Sequence, residues 1–261
     1  MQRVARARGF CCDAYKASCL RRRIAVRMRA RGAPTYAAYA DILDRDAEEY
    51  DRLLDALTVN VSKFYRNAET WDALIRDVLP DIVRRRGASL RCWSAGCASG
   101  EESYTLAMVL HHHVPRLTTD HPTLIRVDAT DVDERCLAAA RQATYRDQAF
   151  EEMPTELWSR YTSVVGDPPR RQVHDEVRQL VRLSRHNMVQ ESPPRPPYDL
   201  ILCRNVVIYF DRPTQEQLFN RAADALRPGG YLILGKVETL FGEARERLQL
   251  INIRERIYQR P

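Results

Sequence analysis

The sequence predicts an α/β fold with a mainly parallel sheet, preceded by a small all-helical domain. Three observations predict it. From Leu90 onward, short apolar runs alternate with helical patterns, which is how strands joined by covering helices read. The first of these runs ends in Cys92-Trp93-Ser94-Ala95-Gly96-Cys97-Ala98-Ser99-Gly100-Glu101-Glu102, where small residues lead straight from a strand into an acidic helix start. That is the turn of a Rossmann-like, nucleotide-type sheet. Before residue 60 only helical periodicity occurs.

Taken in order, Leu20, Ile24 and Met28 recur at i, i+4 and i+8 and give the first helix one buried stripe among arginines. Gly32-Ala33-Pro34-Thr35 breaks it, and helices over 36–43 and 47–57 follow. The periodicity lapses over 58–66, which places a join between a basic helical domain, 1–60, and a second domain, 61–261. Ser62 reads as the cap of a helix whose apolar face includes Trp71, Leu74, Val78 and Ile82, with Arg84, Arg85 and Arg86 at its end, where cations suit the dipole. Then come a strand at 90–94, a helix at 101–113, a strand at 124–130, a helix at 133–142, and strands near 181–183 and 199–203. A helix from Pro213 is stopped by Pro228-Gly229-Gly230, a strand covers 231–235, and 248–258 supplies a closing pair. A small β subdomain is expected around 161–185, and Ser192-Pro193-Pro194-Arg195-Pro196-Pro197 reads as a stiff surface loop.

Composition narrows the function. The seven cysteines form no C-x-x-C pair and read as reduced thiols of a cytosolic protein. No apolar run approaches the roughly 18 residues of a membrane span, and no signal peptide opens the chain, so a cytoplasmic protein without membrane insertion is expected. Residues 1–31 hold ten basic side chains against Asp13 alone, a net +9 in a chain whose total is +6; the rest is net −3. Such an N-terminal surface attracts an acidic partner: nucleic acid, an anionic membrane or an acidic protein.

The loop after the first strand indicates the ligand. Gly96, Ala98 and Gly100 keep side-chain bulk away, so a ligand can lie against the backbone. A phosphate at the helix N-terminus would be repelled by Glu101 and Glu102, which argues against a dinucleotide. S-adenosylmethionine, which has no phosphate and carries an ammonium and a sulfonium, suits the site. Other strand ends carry matching groups: Asp131 for ribose hydroxyls, Asn187 and Met188 for an adenine edge and face, and Asn205 beside Arg204. Asp133 reads as a helix cap. No metal is expected, because consecutive His111-His112-His113 point about 100° apart on a helix and Cys11, Cys12 and Cys19 lack zinc-finger spacing.

Several long motifs in order resemble the CheR family of chemotaxis receptor methyltransferases. They are Tyr15-Lys16 with Arg21-Arg22-Arg23 and Arg27-Met28; Asn60-Val61-Ser62-Lys63-Phe64-Tyr65-Arg66; 93–104; Ala129-Thr130-Asp131-Val132-Asp133; and 199–211. The resemblance implies a class I S-adenosylmethionine-dependent methyltransferase domain that esterifies glutamate side chains on the cytoplasmic helical bundles of chemoreceptors, releasing S-adenosylhomocysteine. The cofactor contacts it implies fall on Asn60, Ser62, Arg66, Glu102, Asp131, Asn187, Met188, Arg204 and Asn205. Arg66 and Tyr209 are the expected catalytic residues, attracting and orienting the acceptor carboxylate, and the basic N-terminal helix is the expected receptor-docking surface. An ionised glutamate needs no general base, and none is evident.

The chain also departs from the family pattern. Ser62 stands for a threonine, Tyr65 for a phenylalanine, Ser103 for a proline, and Gly235-Lys236-Val237-Glu238 for glycine-histidine-serine-glutamate. The stretch 161–185 is slightly short for gripping a receptor tail. Two rival readings are a nucleic-acid methyltransferase and a docking module without activity. Against the first, the Pro-Pro-aromatic turn, Pro196-Pro197-Tyr198, stands before the fourth strand and not after it.

Overall fold

The computed structural model describes residues 12–58, 62–87, 89–114 and 124–261. It divides into two compact units: Met1–Val61 with Tyr209–Thr214, and Ser62–Ile208 with Gln215–Pro261.

In the first unit, three helices, α1 (Ala17–Ala30), α2 (Tyr36–Arg45) and α3 (Ala47–Thr58), bury Leu20, Ile24, Tyr39, Leu53 and Leu57 against one another. Met28, third in the expected stripe, packs partly buried against them. Thr35 caps α2 by accepting the Ala38 N–H at 3.1 Å. A carboxylate sits in this small core: Glu49 has no exposed side-chain area and holds Arg27 at 2.6 and 3.0 Å and the Tyr39 hydroxyl at 2.7 Å. Burial alone would raise the Glu49 carboxyl, but the bonds from Arg27 and Tyr39 outweigh it and hold the group below its ordinary range. Arg27, counted by sequence among the surface charges, is therefore turned inward. The 209–214 segment is tied to this unit by Lys16 N–H to the Tyr209 carbonyl at 2.9 Å and Asp211 N–H to the Ala14 carbonyl at 2.8 Å.

The second unit opens with α4 (Ala68–Ala73), which runs through one π turn at Leu74–Val78 into α5 (Leu79–Arg86) and buries Trp71, Leu74, Val78 and Ile82 as expected. Its start differs from expectation. Ser62 is not the cap, because the chain from 62 to 66 is held as a loop: Phe64 and Tyr65 are buried, and the Tyr65 N–H is taken by Thr105 Oγ1 at 3.1 Å. Asn67, in the left-handed region at φ 60°, turns the chain into the helix.

The remaining elements are β1 (Ser89–Ala95), α6 (Glu101–His113), β2 (Leu124–Asp131), α7 (Glu134–Gln142), β3 (Thr144–Tyr145), α8 (Thr155–Tyr161), β4 (Thr162–Val165), β5 (Arg170–Val173), α9 (Asp175–Arg178), β6 (Val181–Arg185), β7 (Tyr198–Cys203), α10 (Arg212–Ala225), β8 (Leu226–Leu234), α11 (Glu243–Arg247), β9 (Gln249–Asn252) and β10 (Ile257–Gln259). Seven strands form one sheet in the order β6-β2-β1-β7-β8-β10-β9. The five from β6 to β8 are parallel, and β10 and β9 add antiparallel. β3, β5 and β4 make a separate antiparallel sheet whose strand β3 precedes residue 161.

Pro228-Gly229-Gly230 does not follow the helix as a simple stop. α10 ends at Ala225, and the triplet lies within β8, where the register to β7 shifts between Tyr198 and Leu200. Asp133 caps α7 as expected, accepting from Arg135 and Cys136. No helix among the described residues is long and apolar enough to cross a membrane.

The strand order decides where a ligand goes. The chain moves outward in one direction through β1, β2 and β6, then returns to β1's other side for β7 and β8. The crevice outside the carboxyl ends of β1 and β7 is the point where the order reverses, and open α/β sheets bind ligands there.

Candidate methyl-donor site

The loop after β1 is fixed by its own backbone. Gly96 and Cys97 N–H both donate to the Thr130 carbonyl, at 2.8 and 2.9 Å, and Gly100 N–H donates to the Cys97 carbonyl at 2.9 Å. Ala98, at φ 47°, gives its N–H to Asp131 Oδ2 at 2.9 Å. Four N–H groups of the loop, those of Gly96, Cys97, Ala98 and Gly100, already have protein acceptors and are not free to cradle a phosphate. Gly96 is required twice over: φ is +77°, and a Cβ there would lie 2.5 Å from Val206 Cγ2.

Asp131 ends β2 with both oxygens anchored, Oδ2 on Ala98 and Oδ1 on the Asp133 N–H at 2.9 Å. Burial raises its carboxyl, and the backbone donors oppose that. Since a carboxylate offers about four acceptor sites and the Asp131 donors are the backbone of Ala98, Asp133 and, more weakly, Val132, capacity remains for a ribose hydroxyl.

The two glutamates of α6 diverge. Glu101 accepts from Ser99 Oγ, at 2.9 Å to each oxygen, and from the Ser62 hydroxyl. Glu102 accepts from Ser94 Oγ at 2.9 Å and from Arg204 Nη1 at 3.3 Å. Burial pushes Glu102 up, while Arg204, and Arg66 more weakly, pull it back. Arg204 has only 2% of its side chain exposed, and its Nη2 also donates to the Arg66 carbonyl at 2.8 Å and to Asn67 Oδ1 at 3.1 Å. Among the described residues its buried Nε has no acceptor and the buried Asn205 Oδ1 no donor. These two orphaned atoms on adjacent residues at the end of β7 fit a bound group that carries both polarities, as the amino-acid end of S-adenosylmethionine does.

Asn187 follows β6, but its side chain is folded on its own turn: Oδ1 takes the Val189 N–H at 3.1 Å and Nδ2 donates to Gln190 at 3.0 Å. Met188 lines a small apolar cavity with Trp93, Ala95, Pro193, Cys203 and Arg221. Arg221 fixes this turn by donating to the carbonyls of Met188 and Val189 at 2.9 and 2.8 Å.

The structure thus joins Arg66, Glu102 and Arg204 directly, with Asn205 next in the chain, and places Asp131 at the end of β2 on the same loop through Ala98; Ser62 meets Glu101, Met188 lines the apolar cavity, and Asn187 serves its turn. Asn60 lies outside the described residues. Tyr209 belongs to the first unit. Sequence reasoning missed Ser94, Asn67, Arg221 and Glu238, which hold the expected contacts in place. Glu238 carried a signal, a lone acid within an apolar stretch after a strand. Among the described residues no His, Cys, Asp or Glu cluster could hold a metal, and His111 instead meets the Tyr161 hydroxyl at 3.0 Å.

Two family models match the chain: the CheR methyltransferase all-alpha domain over residues 1–58 and the CheR methyltransferase SAM binding domain over 60–257. A chemotaxis protein methyltransferase of Listeria monocytogenes is 33% identical over 238 residues, 91% of this chain and 87% of that one. A probable chemotaxis protein methyltransferase of Rhizobium etli is 32% identical over 251 residues, 94% and 92% of the two. An uncharacterized 104.1 kDa protein of Rhodobacter capsulatus is 33% identical over 94% of this chain, which spans 25% of it. With a loop built for a cationic donor and these matches along its length, the chain belongs to the CheR family of S-adenosylmethionine-dependent methyltransferases.

Proposed function

We propose that this enzyme esterifies glutamate side chains on the cytoplasmic helical bundles of chemotaxis receptors, acting in the cytoplasm, with residues 1–60 as docking domain and 61–261 as catalytic domain. The observation that carries the reading is the anionic loop of Glu102 and Asp131, whose surrounding N–H groups are already occupied. That electrostatic arrangement selects a phosphate-free cation. Bound there, S-adenosylmethionine supplies an electrophilic methyl on a sulfonium.

The chain's own groups hold and orient. Glu102 and Asp131 are assigned to holding the donor and Glu238 has its four acceptor sites filled by backbone N–H groups, so none of them is given the role of a base. This suits an acceptor that arrives already ionised. Its low nucleophilicity is overcome by alignment with the methyl, an effect of several kcal/mol. Arg66 attracts the acceptor carboxylate. On α1, Arg21, Arg22 and Arg29 are exposed and Arg23 is half-buried; these four receive the acidic bundle, while Arg27 is committed to Glu49.

The test is transfer of labelled methyl to receptor cytoplasmic fragments. Base-labile label on glutamate is expected. Asp131→Ala removes the acceptor of a ribose hydroxyl and should weaken donor binding by at least about tenfold, from roughly 1.5 kcal/mol or more per charge-assisted bond. Label that survives base, or that appears on nucleic acid and not on receptor, would overturn the assignment.

A further inference from the structure

We propose that Glu238 is a positioning residue for the methyl donor, acting through Asn205. Glu238 is 3% exposed. Its Oε2 accepts the N–H groups of Gly235 at 2.6 Å and Asn205 at 2.9 Å; its Oε1 accepts those of Val206 at 3.0 Å and Ile208 at 3.3 Å. Four N–H groups fill the roughly four acceptor sites of a carboxylate. Nothing remains for a ligand or a proton in flight, so any influence Glu238 has on the reaction passes through the backbone it gathers.

That backbone is the turn leaving β7, and the anchoring N–H of Gly235 stands just beyond β8, the neighbouring strand. One carboxylate therefore staples two adjacent strand ends at the crevice. The turn it holds is a specialised one: Asn205 sits at φ 59°, in the left-handed region that asparagine enters more readily than most residues but that the chain leaves unless something holds it there. Such a conformation persists where the surroundings over-determine it, and the bond from its own N–H to Glu238 does so here. In that conformation Asn205 Oδ1 is buried and, among the described residues, has no donor, as Arg204 Nε of the preceding residue has no acceptor. A turn relaxed to ordinary φ would aim that amide elsewhere.

This inference rests on the reading of Asn205 as a donor contact, and the experiment separates the two. Binding of S-adenosylhomocysteine is measured by calorimetry, with methyl-transfer kinetics, on the full chain carrying Asn205→Ala, Glu238→Gln, or both. Glu238→Gln keeps the shape but turns an NH2 toward two backbone N–H groups. Asn205→Ala should weaken binding about tenfold, the worth of one hydrogen bond of about 1.4 kcal/mol. Glu238→Gln should do the same, raising KM for the donor while leaving KM for the receptor fragment unchanged. The double variant should lose about tenfold and not a hundredfold, since both changes remove one interaction.

Gly235→Ala gives an independent arm if Glu238→Gln does not fold. Its Cβ would stand 2.7 Å from Glu238 Oε2 and 2.8 Å from the Asn205 nitrogen, and it should weaken binding only when Asn205 is present. Unchanged binding in Asn205→Ala removes the donor-contact reading and the proposal with it. Weakened binding in Asn205→Ala with multiplicative losses in the double variant, or normal binding in both Glu238→Gln and Gly235→Ala, overturns the positioning role alone.

Discussion

Replacing Arg204 by Met keeps a long chain over Trp71 but removes the only cation bonded to Glu102 among the described residues. Three bonds disappear: Nη1 to Glu102 at 3.3 Å, and Nη2 to the Arg66 carbonyl at 2.8 Å and to Asn67 at 3.1 Å. Removing one partner of a buried pair costs about 3–5 kcal/mol. Ser94 remains on Glu102 at 2.9 Å, which favours the lower end. At 2–4 °C per kcal/mol for a domain of this size, the melting temperature should fall by about 6–12 °C.

The loss should depend on pH in a definite sense. Burial already places the Glu102 carboxyl above its ordinary 4.5 against the pull of Arg204, and the variant raises it further. An acid raised in the folded state binds its proton more tightly there, so stability is fully present below about 4.5 and is lost as pH rises through the folded value. The deficit of Arg204→Met relative to the parent should therefore be smaller at pH 5 than at pH 7.5, the part due to the two lost bonds to the Arg66 carbonyl and Asn67 remaining at both. Urea denaturation without the donor at those two values measures it. A deficit equal at both, or below about 1 kcal/mol at the higher, would refute the account of a buried charge pair.

Three further outcomes follow. Arg27→Glu places a second carboxylate against the fully buried Glu49 and should destabilise the helical unit by about 3 kcal/mol or more. Arg21→Glu with Arg22→Glu should leave the circular-dichroism melt within about 0.5 kcal/mol and still reduce receptor methylation; a normal melt for Arg27→Glu would mean that Glu49 does not anchor α1. Gly96→Ala should abolish donor binding, because its Cβ meets Val206 Cγ2 at 2.5 Å. Adding Val206→Ala should return part of that binding but leave about 1 kcal/mol of left-handed strain in the denaturation midpoint, and no recovery would place the fault elsewhere.

Much of the fold was legible because its signals are local. α6 begins and ends where the acidic start and the three histidines place it, and the carboxyl ends of four strands carry groups that suit the donor. What escaped was set by tertiary partners. Ser62 has a cap's identity, yet its neighbours Phe64 and Tyr65 are drawn into the core and the hydroxyl goes to Glu101. Arg27 looks like any other arginine in a basic helix, and only its partner 22 residues away makes it structural. Asn187 offers an amide in the sequence, and the structure shows that the same amide also ties its own turn, to Val189 and Gln190. Glu238 is read as a fixed point only when the backbone of residues 205–208 is seen folding around it.

The insertion of β10 between β8 and β9 also bears on biosynthesis. Translation delivers β8 long before residues 257–259, so one flank of the growing sheet must wait, its amides and carbonyls bare, while α11 and β9 emerge. An unpaired flank of this kind invites pairing with another nascent chain. The closure of that flank, Ile257 opposite Ile233 and Gln259 opposite Tyr231, comes only after residues 257–259 clear the ribosome.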